Sequence, residues 1–292
     1  MNKLIVSSSP HIKTKNDTPR LMLDVIIALI PLVAAATVHL GFGALLMTAL
    51  CVVTCVVSEF IFNLIVKKEQ TIFDLSAVIT GLVLGLTIHP TTTIWECIIS
   101  SIFAIIVVKC VFGGLGCNFA NPAATAVVFL LVCFDGARKG AEGTRPAIAE
   151  LFVGDKAGEI CTICVIALAL AFVYLVIRGV IKFETPIIMI GSVFALYLAT
   201  GSNVNEALYQ VLTGGLVFAA VFMATDYVTT PITRSGKMIF ALGCGLLTFL
   251  IRVYGNDSYA DGVYFAVLFM NIISPYIEGW TKPRALGKRG NK

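Results

Sequence analysis

Charge is what this sequence has least of. Of its 292 residues only 13% are charged, against 58% hydrophobic, and the mean hydropathy is +0.93. A soluble domain of this length buries one large core but needs far more polar surface than that to meet water. Histidine is scarce too, and the three present, His11, His39 and His89, are too dispersed in sequence to propose a metal centre. The basic residues form no stripe that would track phosphates, so the net charge of +4 does not point to nucleic acid. Polar intervals long enough for a catalytic domain are also missing, and no hydrolytic triad arrangement is present.

What is present is a series of apolar runs. They predict spans over 21–40, 42–66, 76–89, 94–108, 121–134, 160–177, 185–199, 208–225, 238–251 and 262–276. The expected fold is therefore an all-α polytopic membrane protein with about ten transmembrane helices. Several runs fall short of the roughly 20 residues that cross a bilayer, 76–89 and 121–134 most clearly. Such segments suit re-entrant or broken helices whose open backbone groups are satisfied inside the protein.

Basic residues set the expected orientation. With ten crossings and both termini cytoplasmic, only Arg138, Lys139, Arg145, Lys156 and Arg252 of the 21 Lys and Arg residues fall on the far side. That is the asymmetry by which positive flanks are retained in the cytoplasm. The polar leader 1–20 lacks the early apolar stretch and cleavage site of a signal peptide, so the first span is expected to stay as an anchor. A basic tail, 278–292, closes the chain.

Order recurs between 21–134 and 160–277, separated by the polar far-side interval 135–159. Thr80-Gly81-Leu82-Val83 has a counterpart in Thr213-Gly214-Gly215-Leu216-Val217, and Asn121-Pro122 in Asn271 followed by Pro275. Five crossings per half make the second half enter from the opposite side, the geometry of two inverted five-helix repeats. Close helix approach at glycine is the simpler reading of each motif.

Two segments carry most of the chemistry. In Phe112-Gly113-Gly114-Leu115-Gly116-Cys117-Asn118-Phe119-Ala120-Asn121-Pro122, glycines permit tight turns while Asn118 and Asn121 offer donors and acceptors. It reads either as a helix-capping loop or as the wall of a cofactor or ion site. It is not a dinucleotide fingerprint, because no strand precedes it and the spacing differs. In Thr225-Asp226-Tyr227 and the residues to Lys237, Asp226 is open to pairing with Arg234, capping a helix, or binding a polar ligand. Among the charges near spans, Glu59 is placed deepest, with Lys109 and Arg252 as possible partners. The nine cysteines are scattered through apolar text and read as small buried hydrophobes.

Several stretches resemble a known family. They are Ser7-Ser8-Ser9-Pro10-His11, the run from Leu23 to Pro31, Asp74-Leu75-Ser76-Ala77-Val78-Ile79-Thr80-Gly81-Leu82, the glycine-rich segment, Phe222-Met223-Ala224-Thr225-Asp226, and Phe265 to Asn271 with Pro275. The chain is similar there to the RnfD subunit of Rnf complexes, the ion-translocating ferredoxin:NAD oxidoreductases, and more distantly to the NqrB subunit of sodium-pumping NADH:quinone oxidoreductases. The resemblance implies two inverted five-helix repeats, flavin binding, and coupling of electron transfer to sodium or proton movement. It implies partners as well: the other membrane subunits of the complex, with flavin-bearing and iron–sulfur subunits among them. Asn118, Asn121 and Asp226 are the expected polar contacts of the cofactor. A non-redox ion or solute transporter on the same scaffold, or a purely structural subunit, is the alternative that composition alone leaves open.

One departure stands out. Family members carry FMN on the threonine of a Ser-Gly-Ala-Thr-like motif after the fifth span. Here the nearest text is Glu142-Gly143-Thr144-Arg145-Pro146, which puts Arg145 at the acceptor position and Thr144 at the alanine. Tyr227 also replaces a usual proline. Arginine has no hydroxyl for a phosphodiester, although its fork attracts phosphate. The expectation is a noncovalent flavin, FMN or riboflavin, with no covalent FMN at Thr144.

Overall fold

The computed structural model describes residues 18–89, 92–134, 148, 152, 160, 164–255 and 262–282. Thr144 and Arg145, with most of the interval 135–159, lie outside the described residues, as do 1–17 and 283–292. Every regular element among the described residues is helical.

The first half contains α1 (Thr18–Leu40), α2 (Phe42–Val66), α3 (Ser76–Thr87), α4 (Ile94–Ile102) and α5 (Pro122–Cys133). The second contains α6 (Val165–Ile177), α7 (Glu184–Ala199), α8 (Val204–Leu212), α9 (Leu216–Phe218), α10 (Arg234–Tyr254) and α11 (Gly262–Thr281). Four of these, α1, α2, α10 and α11, are long and apolar enough to cross a membrane by themselves. A fifth candidate is the bent pair of α8 with α9 and its extension. Outward-facing Val38, Ile65, Leu170 and Ile177 are largely exposed, as lipid-facing side chains should be. Tyr254, Tyr276 and Trp280, also exposed, sit near helix ends where amphipathic rings suit a bilayer interface.

The structure revises the predicted spans in three places. The expected continuous span 208–225 is two pieces, Val204–Leu212 and Leu216–Met223, bent by 62°. The cause is local: Gly214 and Gly215 adopt φ of +65° and +64°, a left-handed conformation that ends α8. Arg252 of α10 reaches back to satisfy the freed carbonyls, donating to Gln210 O, to Thr213 O at 3.1 Å and to Gly214 O at 2.9 Å. The second revision is that α4 continues without a break into a π-helix, Phe103–Cys110, and α9 into another, Ala219–Met223. The third is length: α10 and α11 run beyond the predicted 238–251 and 262–276, α11 continuing past Pro275 into the expected tail.

Glycine decides the closest packing. A Cβ at Gly81 would lie 2.5 Å from Val52 Cα, and one at Gly85 2.7 Å from Thr48 Cα. The i, i+4 glycines of α3 thus let its backbone touch that of α2, which is the simpler reading of the Thr80-Gly81 motif. Cysteines follow the expectation for the most part: Cys51, Cys55, Cys97, Cys110 and Cys244 are buried, whereas Cys117 and Cys133 are exposed.

Candidate functional site

The site is assembled at helix ends. Asn121 caps α5: its Oδ1 accepts from the N–H groups of Ala123 at 3.0 Å and Ala124 at 3.1 Å, and Pro122 fills the first helical position. The glycine-rich turn that delivers it needs glycine, because Gly113, Gly114 and Gly116 have φ of +126°, +101° and +89°. From the other half, the π-helix Ala219–Met223 delivers Asp226. The Asp226 carboxylate accepts from the Val228 N–H and the Thr229 hydroxyl, both at 3.2 Å.

These segments, more than a hundred residues apart, meet. Asn121 Nδ2 lies 3.5 Å from Asp226 Oδ2, at the long limit of a hydrogen bond. Both border one open-mouthed cavity of about 140 Å³. It draws on the first two turns of α1 and α3, the first turn of α5 and the last turns of α6 and of the α4 π-extension, and so lies toward the end of the bundle where α1 begins. Leu21, Val25, Ile79, Val83, Leu175 and Val221 give it apolar walls. Asn118 lines it too, with a buried Oδ1 that has no hydrogen-bond partner among the described residues. A buried acceptor left open costs about 1–3 kcal/mol unless something else donates to it.

So the structure brings Asn118, Asn121 and Asp226 into one cavity. Asn121 is the helix cap of the first reading of the glycine-rich segment, and it also lines the cavity. It also corrects the possible pairing of Asp226 with Arg234. Arg234 Nη2 instead bridges Glu184 Oε1 at 2.6 Å, because Arg234 begins α10 and lies beside the first turn of α7.

Glu59 does find Lys109. Lys109 Nζ donates at 2.8 Å to Glu59 Oε1 and at 2.8 Å to Ser76 Oγ, and both members of the pair are essentially buried. Asp24 pairs with Arg178 and accepts from the Tyr174 hydroxyl at 3.0 Å, joining α1 to α6. Glu96 closes a capping box with Thr93. Ser76, Thr80 and Lys109 line the same cavity, a role that sequence reasoning misses. The sequence marks Lys109 only as a possible partner for an acid. Its position just before the glycine-rich turn is the one signal that ties it to Asn118 and Asn121. No group of three His, Cys, Asp or Glu residues suited to a metal occurs among the described residues.

The fold and site thus define a polytopic helical membrane protein with a polar-edged cavity built from both halves of the chain. It belongs to the NQR2, RnfD, RnfE family, whose match runs over residues 5–287. It is 37% identical to a subunit of the Na(+)-translocating ferredoxin:NAD(+) oxidoreductase complex of Acetobacterium woodii, covering 97% of this chain and 95% of that one. It is 32% identical to a subunit of the proton-translocating ferredoxin:NAD(+) oxidoreductase complex of Clostridium ljungdahlii, covering 99% and 97%. Identity is also 32% to a subunit of the ion-translocating oxidoreductase complex of Methanosarcina acetivorans, over the full length of both.

Proposed function

We propose that this chain is the membrane subunit of an Rnf-type electron-transport complex, coupling electron transfer between ferredoxin and NAD to movement of sodium or protons, and that its cavity holds a noncovalent flavin. The observation that carries the cofactor reading is the open acceptor of Asn118 beside Asn121 and Asp226, in a cavity whose walls are mostly apolar, with Ser76, Thr80, Lys109, Thr225 and Tyr227 as the other polar residues. A flat heteroaromatic ring with polar edges fits that combination. Asn118 Oδ1 would accept from a ring N–H, while Asn121 Nδ2 and the Asp226 segment would meet other polar edge atoms. The apolar walls exclude water from the ring faces. Flavin supplies electron transfer in one-electron or two-electron steps, and the chain contributes binding, orientation and electrostatics. The names of the full-length relatives support the complex and its reaction, and they carry both ions.

Partners in this reading are the other membrane subunits and the flavin-bearing and iron–sulfur subunits of the complex, in a bacterial cytoplasmic membrane. Ten crossings in two inverted five-helix repeats belong to the same reading, and the placement of helix ends agrees with alternating crossings in the first half and into α6. The starts of α1, α3 and α5 and the ends of α6 and the α4 π-extension meet at one cavity, as strict alternation requires. With both termini cytoplasmic, reporter fusions at either end should give the same cytoplasmic signal; signals from opposite sides would contradict this topology.

The function is tested in inverted membrane vesicles driven by reduced ferredoxin. Deleting the chain should abolish both NAD reduction and the accompanying sodium uptake or acidification, and the wild-type chain should restore them. Asn118→Leu, which leaves the Asn121 cap in place, should restore assembly but less than a tenth of the coupled rate. Undiminished coupled NAD reduction without this chain would rule the function out.

A further inference from the structure

Lys109 and Asp226 are the only base and the only acid among the described residues lining the cavity. The Lys109 ammonium is not free to sample water. It is fixed by Glu59 Oε1 and Ser76 Oγ, and Glu59 stands behind it, outside the cavity wall. Glu59 is held in turn: Oε1 also accepts from the Thr71 hydroxyl at 2.7 Å, which accepts from Asn63 Nδ2 at 3.0 Å. Its Oε2 is buried without a partner among the described residues. The pair is therefore an oriented dipole whose cationic residue lines the cavity and whose acidic residue does not. Removing two charges from water is expensive, and apolar residues of the same volume fill space at less cost. The helix carrying Lys109 is moreover in π form up to Cys110, a register change that recurs at functional sites.

We propose that Lys109 is a positioning residue for the cofactor's electronics: its fixed ammonium raises the electron affinity of an electron-accepting ring bound in this cavity, with Glu59 setting how much of that charge the ring feels. The proposal rests on the flavin reading above. In the step concerned, the ring takes up one electron and one unit of negative charge. No bond is made or broken and no proton moves. Reduced ferredoxin is the ultimate electron source in the complex; dithionite replaces it in the test.

The test uses the full chain in detergent, loaded with riboflavin or FMN, and follows the one-electron midpoint potential by dithionite titration in a spectroelectrochemical cell. Glu59→Gln keeps an acceptor for Lys109 and Thr71 but removes the negative charge behind the ammonium. It should favour the reduced form at least tenfold, about 59 mV upward for one electron. Lys109→Met combined with Glu59→Gln removes both charges of the pair and should shift the potential downward by a comparable amount. A potential within twofold of the wild-type equilibrium in Glu59→Gln, with the flavin still bound, overturns the role of Lys109 and leaves the flavin reading standing. Shifts of the same sign in both variants overturn it as well. Failure of the wild-type chain to bind either riboflavin or FMN overturns the flavin reading, and this proposal with it.

Discussion

Lys109→Met alone should cost about 3–5 kcal/mol of stability, enough to remove much of a typical 5–15 kcal/mol margin. The cause is not the lost attraction but the charge left behind. Glu59 is 2% exposed, and after the substitution its carboxylate keeps only the Thr71 hydroxyl. Ser76 loses its contact with the ammonium as well. The loss should be read from unfolding in mixed micelles titrated with sodium dodecyl sulfate. Adding Glu59→Gln to Lys109→Met should recover at least half of it, because the second change removes the stranded charge. Two penalties that simply add would show that the residues are not coupled in this way.

Gly81→Leu should be nearly as damaging, by about 1–3 kcal/mol or more. A Cβ there meets Val52 Cα at 2.5 Å, Val52 N at 2.9 Å and Cys51 O at 3.0 Å, all backbone atoms of α2 with no flexible end to yield. Helices α2 and α3 would have to separate, and α3 carries Ser76 and Thr80 of the cavity wall. Flavin retention should therefore fall along with stability. Gly43→Ala supplies the contrast: nothing lies within 4 Å of its would-be Cβ, and alanine suits a helix better by up to about 1 kcal/mol. Equal behaviour of the two variants would show that the α2–α3 contact is looser than described.

The sequence pattern is most readable where composition speaks directly. Apolar runs mark α1, α2 and the shortness of α3 and α5, and the glycine–asparagine text marks both the α5 cap and the cavity. Hydropathy averages over a window, so it is blind to the register changes that matter here. The π turns ending near Cys110 and Met223 are as apolar as the α-helices they extend, and the break at Gly214 and Gly215 separates α8 from α9 without any charged residue. Long-range partners are the least visible. Glu59 and Lys109 are 50 residues apart, and only the packing of α2, α3 and the α4 extension shows that Ser76 joins them. Asp226 has two basic neighbours in sequence, but its loop folds so that Val228 and Thr229 serve it locally while Arg234 turns to Glu184.

The central claim is that the Asn118, Asn121 and Asp226 cavity holds flavin without a covalent link, and flavin release measures it most directly. The full chain purified from its complex is denatured, the released flavin is quantified by fluorescence, and the intact mass of the protein is recorded. The expected result is close to one released flavin per wild-type chain, a protein mass equal to that of the sequence alone, and at least a tenfold drop in released flavin for Asn118→Leu. Absence of flavin from the wild-type chain, undiminished flavin in Asn118→Leu, or an FMN-sized adduct on Thr144 or any other threonine would contradict it.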